Sequence, residues 1–149
     1  MKKLNPTACR ILDRLTQGLT RPGHHRKIDN APGFFMAAHV ERIGECRQGP
    51  LFSVAHYYEQ NGDLMKDPDM VFIRGQDGDY YPIEFQQDNI GFYGCAVKFD
   101  EHGEITHYHP AEQAEMAGFA NHWMLNLLIQ QQLKLEQDPA SMAEEIQAL

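Results

Sequence analysis

No run of apolar residues in this chain is long enough to cross a bilayer. The longest, from Trp123 to Ile129, is broken by Asn126, whereas a spanning helix needs about 20 apolar residues. Met1-Lys2-Lys3-Leu4 is basic, but no apolar segment of the kind a secretory signal carries follows it. Cysteine is scarce too. Cys9, Cys46 and Cys95 are odd in number, far apart and form no C-x-x-C pair, so neither a zinc knuckle nor a redox motif is indicated. Free thiols of this kind fit a reducing compartment, and the expected location is the cytoplasm. No serine sits in G-x-S-x-G and no glycine loop of the phosphate-binding type occurs, so no nucleophile or nucleotide cradle is evident. Positive charge is also in short supply. Thirteen Lys and Arg face 21 Asp and Glu, a net charge of −8, which works against direct nucleic-acid binding through the phosphate backbone.

What is present is an ordinary globular composition, 42% hydrophobic and 23% charged over 149 residues, enough for one domain over residues 1–149 with a single core. Asn5-Pro6 reads as a helix start, with Ile11, Leu12, Leu15 and Leu19 at helical spacing and Gly18 near the end. Residues 20–33 turn to Pro, Gly, Asn, His and basic types, which predicts an exposed loop. Strands are expected over Phe34 to Ile43, Leu51 to Gln60, Met70 to Arg74, Tyr80 to Gln86, Ile90 to Phe99 and Glu104 to His107. Asn61-Gly62-Asp63 and Asp67-Pro68-Asp69 read as turns, and Asp77-Gly78 as a hairpin centre. Pro110 opens a long helix to about Glu136, whose Met116, Phe119, Ala120, Trp123, Met124 and Leu127 form a wide apolar face. A flanking stripe of Leu125, Ile129 and Leu133 is expected to pack on a short helix over 140–149; the alternative is a homodimer surface. The fold class that follows is α+β, an antiparallel sheet of five to six short strands packed against an N-terminal and a long C-terminal helix.

The string Ala55-His56-Tyr57-Tyr58-Glu59-Gln60-Asn61-Gly62-Asp63-Leu64-Met65, then Asp67-Pro68-Asp69-Met70, is distinctive. With Asn89 to Tyr93 and the helix carrying Phe119-Ala120-Asn121-His122-Trp123, it resembles a family of short uncharacterised proteins of proteobacterial plasmids and integrative conjugative elements. The family is a domain of unknown function, so the resemblance implies a setting rather than a chemistry: a mobile-element accessory protein that binds host or element proteins.

Two constellations carry possible chemistry. Pro68-Asp69 followed by Glu84-Phe85-Gln86 looks like a degraded nuclease pattern, in which an Asp and a Glu-x-Lys share a hairpin. If Asp77-Gly78 centres a two-residue turn, Asp69 faces Gln86 and Val71 faces Glu84. Asp69, Glu84 and Gln86 then project together, while Met70, Phe72, Tyr81, Ile83 and Phe85 take the core face. Two carboxylates so placed suit Mg²⁺ and an activated water. Gln86 in place of lysine and the acidic charge weigh against it. The second is His107-x-His109, which on a strand would point one way, as a metal pair requires. The ordinary alternatives are turn chemistry, a solvent-facing strand position and a polar rim.

The reading preferred on sequence is a non-enzymatic protein-binding module. Its contact residues would be Glu59, Asn61, Asp63, Asp67, Asp69 and Glu84, with no cofactor and no membrane partner.

Overall fold

The computed structural model describes residues 1–135 and the backbone of 146–148. Helix α1 (Pro6–Thr16) begins where the sequence places it. The Asn5 side chain accepts from the Ala8 amide at 2.8 Å, and Pro6 fills the first turn; losing such a cap costs about 1 kcal/mol. Its buried stripe, Ile11, Leu12 and Leu15, is fully enclosed, each side chain worth about 1.5–3 kcal/mol of transfer free energy. Helix α2 (Pro110–Gln130) packs beside it, and the Asn121 side chain accepts from the Asn5 amide at 2.9 Å.

Between the helices in sequence run β1 (His24–Ile28), β2 (Ala38–Cys46), β3 (Gly49–Gln60), β4 (Asp63–Arg74), β5 (Tyr80–Gln87), β6 (Phe92–Cys95), β7 (Val97–Phe99) and β8 (Ile105–Tyr108). A last strand, β9, covers Ile146–Ala148. The main sheet is antiparallel in the order β6-β5-β4-β3-β2-β1-β9, while β7 and β8 form a separate two-stranded ribbon. The expected α+β class, antiparallel sheet and two helices are all present. Both helices lie on one side, over Val40, Phe52, Val54, Met70, Phe72 and Tyr80. The ribbon meets the main sheet at the β2–β3 hairpin. The Arg47 amide donates to the Gly103 carbonyl at 3.0 Å, and Phe99 and Ile105 join the apolar cluster that encloses Ile73.

Several boundaries differ from expectation. Residues 24–28 of the expected loop are a strand, and Arg26 within it is wholly buried. Its guanidinium donates to the carbonyls of Arg14, Leu15 and Gln17 at the end of α1. A basic loop reading fails here because the charge answers a helix C-terminus rather than solvent. Phe34 to Met36 precede β2 as exposed turn residues, not strand. Asn61 and Gly62 both take positive φ, 54° and 84°, the mirror-type turn that joins twisted strands tightly. The strand after it therefore starts at Asp63 and runs through Asp67-Pro68-Asp69. Proline is tolerated there because the β3–β4 register shifts between Ala55 and Tyr57, so that Asp67 and Pro68 together oppose His56. The expected strand Ile90 to Phe99 divides at Ala96 between sheet and ribbon. Helix α2 stops at Gln130, leaving Leu133 in the following turn. Of the expected helix over 140–149, residues 146–148 are strand, and the remainder lies outside the described residues.

His56 is buried edge-on against Trp123, ring centroids 5.5 Å apart, and its Nε2 has no hydrogen-bond partner among the described residues. Burial pushes its pKa down, with Asp67 pulling weakly the other way; half-buried His39 is shifted down for the same leading reason. The unfolded chain therefore binds protons that the folded chain refuses once pH falls below about 6.5. Stability is expected to be fully present above that value and to drop as pH falls below it. Thermal melts between about pH 7.5 and 5 should show this slope, and His56→Leu should flatten it. An unchanged slope in the variant would assign the effect elsewhere.

Candidate functional site

The strand register lays two rows of side chains across the outward face, the side away from the helices. One row reads His25, Glu41, Ser53, Val71, Glu84 and Cys95 from β1 to β6. The next reads Lys27, His39, Ala55, Asp69, Gln86 and Tyr93. Directly paired residues share a face, so the predicted trio Asp69, Glu84 and Gln86 does project together. The pairing of Asp69 with Gln86 and Val71 with Glu84 is as expected, but it arises differently. The loop spans Gly75 to Asp79, Arg74 pairs with Tyr80, and a bulge at Ile83 restores the register. The bulge also corrects one assignment. Tyr80, not Tyr81, is the buried ring; its hydroxyl meets Thr16 and Asp13 on α1 at 2.9 and 2.8 Å. Tyr81 faces the other way and donates to Asp77 at 2.6 Å, which pushes its phenol up to about 12.

Three carboxylates on this side of the sheet, Asp69, Glu84 and Asp88, have donors from the protein. Asp69 accepts from Ser53 Oγ at 2.8 Å and lies 3.3 Å from Lys66 Nζ. Gln86 takes Lys66 Nζ at 3.5 Å on its oxygen and gives its amide to Asp88 at 2.9 Å. Asp88 also accepts the Lys66 backbone amide at 2.7 Å; that bond and the one from Gln86 hold its carboxyl below the usual range. Tyr93 donates to Glu84, and this bond, with some burial, drives the tyrosine pKa well above its ordinary value. Beside Asp69, a cavity of about 230 Å³ is lined by His25, His39, Val40, Glu41, Ser53 and Tyr57, with the His39 and Tyr57 rings edge to face at 5.1 Å. Burial, then Asp69 and Glu41, raise the Tyr57 pKa.

The other expected residues scatter. Glu59, Asn61 and Asp63 are exposed at the tip of the β3–β4 hairpin. Asp67 turns to the helix side, where it accepts from Gln87 Nε2 at 3.0 Å and acts on His56. His107 is exposed on β8, its Nδ1 2.9 Å from Thr106 Oγ1, while His109 lies past the strand as the cap position of α2. Among the described residues no three His, Cys, Asp or Glu side chains converge as a metal ion would require.

Sequence reasoning passed over Ser53 and Lys66. A signal for Lys66 existed: a two-residue turn at Asn61-Gly62 pairs Tyr57 with Lys66, as observed. Its approach to Asp69 depends on the bulge at Asp67-Pro68, which no sequence pattern announces.

The chain belongs to the family described as domain of unknown function (DUF6908), which it matches over residues 6–133. No curated protein and no solved structure matches it. No helix among the described residues is long and apolar enough to cross a membrane.

Proposed function

Starting from a family with no assigned activity, we propose that this chain is a non-enzymatic protein-binding module whose outward sheet face recognises a host or element protein. The observation that carries the reading is the state of the acidic groups. Asp69, Glu84 and Asp88 are each held by donors of the chain itself. A face organised in this way presents fixed acceptors at low entropic cost to a partner, as preorganised interfaces do. Exposed Leu64, Ile90 and Tyr93 border it, the apolar and aromatic content from which interface hot spots are built. The acidic tip residues Glu59 and Asp63 extend it towards a basic partner surface. The mobile-element setting comes from the sequence resemblance alone.

The test is retention of a specific protein from host lysate on the immobilised chain. Loss of that protein with Asp63→Lys/Glu84→Lys, in a variant that melts as the wild type does, is expected. Retention of nothing specific overturns the reading.

One observation favours a second reading. Lys66 Nζ stands beside both Asp69 and Gln86, so an ammonium is present where the nuclease pattern has its lysine. A divalent-metal nuclease would then use Asp69 and Glu84 as ligands, Lys66 to steady charge and Mg²⁺ to activate water. It predicts Mg²⁺- or Mn²⁺-dependent cleavage of plasmid or single-stranded DNA that falls by about 10² or more in Asp69→Ala, Glu84→Ala and Lys66→Ala. The binding reading predicts no cleavage above background.

A further inference from the structure

Among the described residues the sheet ends at β6, which pairs only with β5. The Ala96 amide donates to the Ile83 carbonyl at 2.8 Å, and this sets the alternation along the strand. Phe92 and Gly94 turn their amides and carbonyls towards β5; Tyr93 and Cys95 turn theirs outward, away from the sheet. Helix α2 runs over β5 on the opposite side from the polar rows, and its Glu112 lies directly on β6. A Cβ at Gly94 would come within 2.6 Å of Glu112 Oε1. Strand edge and helix thus bound an open cavity of about 160 Å³ lined by Phe85, Phe92, Glu112, Glu115, Met116 and Phe119. The Phe85 ring lies 5.7 Å from Phe92 and 5.0 Å from Phe119. Those two partners nevertheless remain 46% and 42% exposed.

We propose that this groove binds an extended peptide by strand addition to β6. The peptide would seat one apolar side chain on Phe92 and Phe119, with Lys or Arg two residues to either side facing Glu112 and Glu115. Three features argue for this occupant together. The outward amides and carbonyls of Tyr93 and Cys95 demand a partner in extended conformation. Alternate residues of an added strand point to one side, so an apolar residue and its neighbours two positions away all meet the helix side. The groove is apolar at its floor and anionic at its rim, in a chain of net charge −8, which selects a basic flank. A second copy of this chain fits worse. Two-fold pairing of β6 strands would set both α2 helices on the same side of the joined sheet, Glu112 and Glu115 against their own copies, and like charges so placed repel. The proposal concerns the helix side of the sheet and does not depend on the outward face binding anything.

The probe is acetyl-Thr-Lys-Thr-Leu-Thr-Lys-Thr-amide, labelled with a fluorophore and titrated with the full chain. Its affinity is expected to fall by about tenfold or more in Phe119→Asp. Glu112→Lys/Glu115→Lys should reverse the preference towards the same peptide with Glu at both Lys positions. Amide exchange followed by NMR supplies a readout that loose charge attraction would not move. On saturation the Tyr93 and Cys95 amides should become protected, while those of Phe92 and Gly94 keep the protection they have. Binding without protection at Tyr93 and Cys95, binding indifferent to both variants, or no measurable binding overturns the proposal. So does sedimentation showing that the free chain dimerises and that Phe119→Asp makes it monomeric, since the edge would then serve a second copy.

Discussion

Arg26→Ala is expected to destabilise the chain by about 3–5 kcal/mol, the range seen when one side of a buried charged network is removed. Arg26 is wholly enclosed, and its guanidinium reaches the carbonyls of Arg14, Leu15 and Gln17. These carbonyls belong to the last turn of α1, where a helix has no acceptor partners of its own and its dipole is negative. Alanine would leave them facing a void. Each lost bond to a charged donor is worth about 1.5–3 kcal/mol, but the three share one cation and do not add. Arg26→Met separates the causes, because it keeps most of the volume and loses every donor. If hydrogen bonding dominates, methionine should be nearly as damaging as alanine, and lysine should recover part of the loss. Urea unfolding at pH 7 would read the midpoint at constant slope. A methionine variant within about 0.5 kcal/mol of wild type would show that the bonds contribute little.

Gly49→Ala is expected to cost about 3 kcal/mol or more, the sum of backbone strain and a forced displacement. Gly49 closes the β2–β3 hairpin with φ +148°, and a Cβ there would sit 2.0 Å from the Arg74 carbonyl oxygen. That neighbour is backbone at the end of β4, so no side-chain rotation can relieve the contact. The hairpin must lift away from β4, and Leu51 with it. Gly62→Ala makes the control. It also has positive φ but meets nothing within 4 Å, so its cost should be confined to the backbone term of about 1 kcal/mol. Equal losses in the two variants would show that the close approach to Arg74 has no weight.

The sequence was most informative where local chemistry acts alone. The Asn5 cap, the α1 stripe, the face of α2 apart from the exposed Phe119, and the Asp69–Gln86 pairing all follow from spacing and turn residues, and all are observed. It was least informative where two distant segments satisfy each other. Residues 24–28 look like loop because His, Arg and Lys are polar; they are strand because Arg26 answers carbonyls nine to twelve residues back. Asp67-Pro68-Asp69 looks like a turn because the residues favour turns, yet it lies in a strand because the register slips opposite His56. The candidate face was legible to the same extent. Alternation brings Asp69, Glu84 and Gln86 together, but Ser53, Lys66 and Tyr93, which hold them, come from pairing across three strands.

From β1 to β6 each strand lies beside the one made just before it. During synthesis the sheet can therefore grow one hairpin at a time, without waiting for distant sequence, and contacts of this kind favour rapid folding. The two covering helices stand at opposite ends of that process. Helix α1 is finished first but finds its floor only when β2 to β5 have followed, and α2 comes after the whole meander. Until then the side carrying Phe52, Phe72 and Ile83 has no roof. The interval between the end of β6 and the docking of α2 is when a nascent chain of this kind is most exposed to aggregation.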